Sequence, residues 1–145
     1  MHILKIKTKK RLLGSYGERA ACRFLRRQGY RIVKKNFVAD SNEIDVIAKD
    51  KEALVFIEVK TRTIGKESPN ETRPASSVTP EKQRAIINAA RVYIANNPIN
   101  KKKRFDIIEV YVNQNKRKYS LAEIKHLKNT FNLNTAFSPT ERNRK

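Results

Sequence analysis

Four side chains near the middle of the chain have the types and spacing that phosphate chemistry needs. Glu43 and Asp45 alternate with Ile44 and Val46 in "NEIDVIAKD", and Glu58 and Lys60 end the apolar run "LVFIEVK". Residues two apart on a strand share a face, so each pair lies on one side of its strand. If the intervening turn sets Lys49 opposite Leu54, Asp45 faces Glu58 and Glu43 faces Lys60. Cross-strand neighbours come within roughly 5 Å at Cβ, close enough for two carboxylates to share one cation. Two such carboxylates repel unless a proton or a metal lies between them. Magnesium, or manganese in its place, suits oxygen ligands and keeps waters for a phosphate substrate. An adjacent lysine then orients or deprotonates the attacking water and meets the charge growing on the phosphate.

The triplet alone carries no weight. Glu58-Val59-Lys60 and Glu123-Ile124-Lys125 both match acid-x-Lys, about as many as chance supplies in so charged a chain. Position separates them, because only the first ends a core strand opposite another acid. The plainer alternative is an exposed strand end carrying ordinary salt bridges. Asp106, beside Arg104, reads as an ion pair or cap, and His126 as a packed or hydrogen-bonded ring.

The elements that must position these residues follow from pattern. Leu12 to Gln28 is helical, with Gly17, Ala20, Ala21, Phe24 and Gln28 on one side and Gly29 as its stop. "YRIVKKNF" reads as a strand, and the acidic hairpin follows with its turn at Lys49 to Glu52. Residues 61–78, rich in Ser, Thr, Pro and charge, read as a long mobile loop. Thr79 offers an N-cap and Pro80 a first helical position for a second helix to Asn96. "FDIIEVYV" is apolar on both faces, as in a buried strand, and "KYSLAEIKHL" adds an edge strand or a short helix. The order helix, three strands, helix, strand predicts an α/β domain with a mixed central sheet flanked by helices, the second helix making the last core strand parallel to the third. Residues 1–11 are expected as a basic arm, 12–131 as the domain and 132–145 as a polar tail.

Charge is the loudest compositional signal: 33 Lys and Arg stand against 14 Asp and Glu, a formal net charge of +19 over 145 residues. Such a surface attracts polyanions, and nucleic acid is the commonest in a cell. The basic clusters "KIKTKKR", "KKKR" and "NKRK", with Arg62 and Arg73, could track a phosphate backbone, and Lys82 is counted with them. The start of the chain has no uninterrupted apolar stretch like that of a signal peptide, and no segment approaches a membrane span. A single cysteine, Cys22, excludes an internal disulfide and a cysteine zinc site. No glycine-rich phosphate loop is present. A soluble protein of the cytoplasm, without membrane contact, is expected.

"GSYGERAACRFLRRQGYRIVKKN", "NEIDVIAKD", "VFIEVKTR", "KQRAIINAARVYI", "RFDIIEV" and "IKHLKNTF" together resemble the YraN family over residues 14 to 131. That family is similar to archaeal Holliday-junction resolvases, within the restriction-endonuclease-like superfamily and its P-D-x(n)-(D/E)-x-K site. The resemblance implies a restriction-endonuclease-like core. It makes Asp45 and Glu58 metal ligands, Lys60 the catalytic lysine, and Glu18 an acid that completes the site by holding the metal or its water. Read from the sequence alone, Glu18 is an odd carboxylate at the edge of an apolar stripe, and a snorkelling or salt-bridged side chain is the favoured reading. Gln83 resembles a polar residue often near such sites. Glu43 either supports the site or simply pairs with Lys60. Asn42 departs from the family's usual glycine and Val38 from a usual arginine.

The expectation is therefore a Mg²⁺- or Mn²⁺-dependent endonuclease acting on nucleic acid, DNA first, with branched substrates and a homodimer implied by the resemblance alone. The alternative is a nucleic-acid-binding protein that keeps the fold without cutting. A basic assembly protein would fit the charge and leave the paired acids unexplained.

Overall fold

The computed structural model describes residues 2–65, 78–116 and 118–133, with the side chains of the first helix described from Lys9 onward. Its elements run α1 (His2–Arg27), β1 (Arg31–Ala39), β2 (Asn42–Lys49), β3 (Ala53–Thr63), α2 (Pro80–Asn96), β4 (Lys102–Asn115) and β5 (Lys118–Phe131). The strands form one five-stranded sheet in the order β1-β2-β3-β4-β5. Every neighbouring pair is antiparallel except β3 and β4, which run parallel through the α2 crossover. This is an α/β fold with a mixed sheet flanked by helices, consistent with a restriction-endonuclease-like core.

Alternation along the central strands builds two cores. Leu54 and Phe56 of β3 join Phe105, Ile107 and the α2 residues Ile86, Ile87 and Ala90 on one face. Val55 and Ile57 join Ile108, Val110 and the α1 residues Ala21, Cys22 and Leu25 on the other. Residues 53–57 and 105–110 are therefore buried on both sides of the sheet. The first helix stops where Gly29 takes φ +95, with the Tyr30 N–H returning to the Leu25 carbonyl at 2.9 Å. The second starts on Thr79, whose hydroxyl accepts from the Lys82 N–H at 3.2 Å. In the hairpin turn Asp50 Oδ1 accepts from the N–H groups of Glu52 and Ala53, at 2.9 and 2.8 Å.

Several boundaries differ from expectation. Where a separate basic arm was expected over residues 1–11, α1 runs continuously from His2; Lys, Leu, Ile and Arg are all compatible with helix, so charge alone is no boundary. The strand expected to end at Lys60 continues to Thr63, because β4 pairs with it that far. "KYSLAEIKHL" is strand throughout, the edge strand β5. Gln28, expected on the apolar side of α1, is exposed, and Leu25 fills that place. Residues 66–77 of the expected loop and 134–145 of the tail lie outside the described residues, and so does Arg73.

Candidate metal centre

The β2–β3 ladder closes with Lys49 opposite Leu54, the register that the turn implied, and its last pair is Val46 with Ile57. Beyond that pair the strands part. There the Asp45 carboxylate, not a β2 carbonyl, accepts the Val59 N–H, at 2.8 Å. A side chain thus stands in for the ladder at the point where the acidic residues begin. Leu54 and Phe56 lie in the α2 core, so by alternation Glu58, Lys60 and Arg62 follow on that side.

Burial pushes the Glu58 carboxyl up to about 7, and the charge of Asp45 adds to it; Lys82 and Lys60 pull the other way. Asp45 is also raised, again first by burial, against the Val59 N–H, Lys82 and a hydrogen bond with Glu58. Burial and the charge of Asp45 thus favour the protonated form of Glu58 when no cation is between the two acids. Lys82, at the start of α2, brings its Nζ to 3.9 Å from Glu58 Oε1. Glu58 Oε2 is buried with no hydrogen-bond partner.

Glu18 reaches the same region from α1. Burial raises its carboxyl, and Asp45 is the next contributor. With its amide nitrogen turned inward, Asn36 of β1 donates to Glu18 Oε2 at 3.2 Å and to Glu43 Oε1 at 3.1 Å. Asn36 adopts φ 53, a left-handed backbone that Asn tolerates better than most residues. Glu43 is thus held by Asn36, and no ion pair joins it to Lys60 among the described residues. Gly17 allows the helix this approach: a Cβ there would lie 1.8 Å from Thr61 Oγ1 on β3.

Among the described residues no group of three or more His, Cys, Asp or Glu converges closely enough to hold an ion unaided. Magnesium does not require one, since it is commonly held by one or two carboxylates and several waters. Asp45 and Glu58 fit that demand: two hard oxygen donors, both raised by burial, with the buried Oε2 of Glu58 lacking a hydrogen-bond partner. A cation between them would satisfy that oxygen and remove the repulsion.

The other candidates fall in different places. Lys60 is in register with the buried Glu109 of β4, and Arg62 with Tyr111. Gln83 donates from Nε2 to the Val78 carbonyl at 2.9 Å, tying down the entry to α2. Asp106 is an ion-pair residue. Fully buried, it accepts from Arg104 Nε at 2.9 Å and the Asn129 N–H at 2.9 Å, and it is hydrogen-bonded to His126 Nε2 at 2.7 Å. Arg104 also donates to the Tyr30 hydroxyl at 2.6 Å, so this network joins β4 to β5 and to the end of α1. Lys125, of the second acid-x-Lys triplet, lies over the Tyr111 ring, 5.4 Å from its centroid. Two features were missed in the sequence. Asn36 gave only the weak signal of an Asn inside a strand pattern, and the pairing of Lys82 with Glu58 gave none.

Fold and site together define an α/β domain with a restriction-endonuclease-like core and a carboxylate cluster where its central strands part. The model of an uncharacterised protein family, UPF0102, matches residues 17–110. The chain is 43% identical to a UPF0102 protein of Caldanaerobacter subterraneus over 126 residues, covering 86% of this chain and 98% of that protein. It is 47% identical to one of Chlorobaculum parvum over 82% of this chain and 91% of the relative, and 42% identical to one of Clostridium botulinum over 83% and 94%. The chain belongs to the UPF0102 family.

Proposed function

We propose that this chain is a metal-dependent nuclease that hydrolyses phosphodiester bonds in DNA, structured or branched DNA included. The observation that carries the reading is the Asp45–Glu58 pair: two carboxylates raised by burial where β2 and β3 part, one buried oxygen lacking a hydrogen-bond partner. Asp45 and Glu58 would hold Mg²⁺ or Mn²⁺, and Glu18, whose carboxyl feels the charge of Asp45, would orient a water beside them. Such an ion supplies Lewis-acid chemistry, polarising the phosphate and lowering the pKa of water. Lys60, two residues beyond Glu58 on the same side of β3, holds the attacking water or takes its proton and offsets charge on the phosphate. Arg62 and Lys82 flank the strand end and serve the adjacent phosphates; Lys82 would leave Glu58 when a cation arrives.

A second reading, a nucleic-acid-binding protein that keeps the fold without cutting, is favoured by the lack of a convergent three-ligand group among the described residues. One set of measurements separates the two. Duplex, flap, four-way junction and single-stranded DNA are incubated with Mg²⁺ or Mn²⁺ and with chelator, and Mn²⁺ binding is followed by calorimetry. The nuclease cuts at least one substrate only with metal. Asp45→Asn should lose most Mn²⁺ affinity and cleavage while folding normally, since an Asn oxygen still accepts the Val59 N–H. Lys60→Ala should keep Mn²⁺ binding and lose cleavage. Tight DNA binding with no cutting under any condition would select the binder, and wild-type Mn²⁺ affinity in Asp45→Asn would end the metal-centre reading.

A further inference from the structure

We propose that a groove between α1 and β5, apart from the carboxylate cluster, binds single-stranded nucleic acid. The inference rests on the nucleic-acid part of the preceding reading and is independent of its chemistry. One wall carries Arg19, Arg23 and Arg27, spaced one helical turn apart, about 6 Å per step along the axis. All three are exposed, and none forms an ion pair among the described residues. The floor is apolar: Phe24 and Tyr16 from the helix, Leu121 and Ile124 from the edge strand. Tyr16 is fixed against Tyr119, ring centroids 5.6 Å apart, and Phe24 stands edge-on to His126 at 6.0 Å. Leu121 is 47% exposed, a large apolar side chain on the open edge of the sheet.

The cavity holds about 240 Å³, room for a planar ring rather than a folded element. Three unpaired guanidiniums over such a floor match a ligand that carries regular negative charge outside and flat apolar faces within. Guanidiniums pair with phosphates in two-point contacts, and both they and aromatic rings stack on bases. A single strand offers both groups, whereas a duplex keeps its bases stacked inside. Regular charge spacing separates this ligand from a short acidic peptide. The row from Arg19 to Arg27 spans about 12 Å of the helix axis, in steps that match a repeating phosphate. Glu18 is the only acid in α1, and it points to Asn36 and not along this row.

The test is fluorescence anisotropy with a labelled twelve-residue oligo-dT and a blunt duplex of equal length, in chelator so that nothing is cut. The triple variant R19Q/R23Q/R27Q keeps the helix-forming character of these positions. It should bind oligo-dT at least tenfold more weakly, with the logarithmic salt slope reduced by about 2, as three lost phosphate contacts require. Duplex affinity should change less than threefold. Leu121→Glu, an exposed position, should weaken oligo-dT binding without moving the melting temperature. Unchanged oligo-dT binding in both variants would overturn the proposal. So would an equal loss for the duplex, or displacement of oligo-dT by a Glu/Phe peptide that binds more tightly. Metal-dependent cutting of duplex by the same triple variant is read separately and bears only on the carboxylate site.

Discussion

The Glu58 carboxyl titrates near pH 7 because it is buried beside Asp45, and this sets a sign for stability against pH. A carboxyl raised on folding binds its proton more tightly in the native state, so the folded chain takes up protons between its ordinary 4.5 and about 7. Stability contributed by Glu58 is therefore full below pH 4.5 and is lost as pH rises through 7. A rise of that size corresponds to about 3 kcal/mol. Glu58→Gln has no proton to lose. Relative to wild type it should gain melting temperature between pH 5 and 8 without metal, and the gain should vanish when wild type is saturated with Mn²⁺. Parallel melting curves for the two proteins across that range would count against a buried, raised carboxyl. Which residues met here was partly legible in the chain. The turn fixed Lys49 opposite Leu54 and so brought Asp45 to Glu58. That Asp45 would accept the Val59 N–H, and that Asn36 would hold Glu18 and Glu43 together, depended on where the strands part and on a left-handed residue, neither of which periodicity encodes.

Helix α1 contains two glycines in opposite surroundings. A Cβ added at Gly14 meets nothing within 4 Å, whereas one at Gly17 would lie 1.8 Å from Thr61 Oγ1 and 2.8 Å from Thr61 Cβ. In a helix, Ala is better than Gly by about 1 kcal/mol when space is free. Gly14→Ala should therefore stabilise by up to about 1 kcal/mol. Gly17→Ala should cost about 1–3 kcal/mol, since the helix must move away from β3 or Thr61 must shift. Chemical denaturation of the two variants gives the signs directly, and a stabilised Gly17→Ala would contradict the close approach of α1 to β3. Because that approach also brings Glu18 near Asp45, Gly17→Ala should lower Mn²⁺ affinity and Gly14→Ala should not. Elements were read well where pattern and punctuation agreed: Thr79-Pro80 before α2, Gly29 after α1, and a crossover long enough to make β4 parallel to β3. They were read less well where one sequence suits two states. Leu121, Ala122, Ile124 and Leu127 serve a helix or a strand, and pairing with β4 decides for strand.

At the scale of the whole molecule, the acids do not dilute the basic surface evenly. Asp106 and Glu109 are buried, and Glu18, Glu43, Asp45 and Glu58 gather where β2 and β3 part. These account for six of the 14 acidic residues, against 33 Lys and Arg, so away from that cluster the chain is more positive than +19 over its whole length conveys. The row on α1 and the residues beyond Glu58 lie on different elements, so a nucleic acid engaging both would make many phosphate contacts at once. With six or more such contacts, affinity for DNA should fall by roughly 10³-fold or more between 50 and 200 mM salt. Removing residues 1–11 shortens the helix without touching the carboxylates. It should weaken binding and flatten that salt dependence while leaving Mn²⁺ affinity at the Asp45–Glu58 site unchanged. Anisotropy across a salt series, with calorimetry on the truncated protein, measures both quantities. A salt slope near zero for the full chain would mean that the charge serves something other than a polyanion, whatever the carboxylate cluster does.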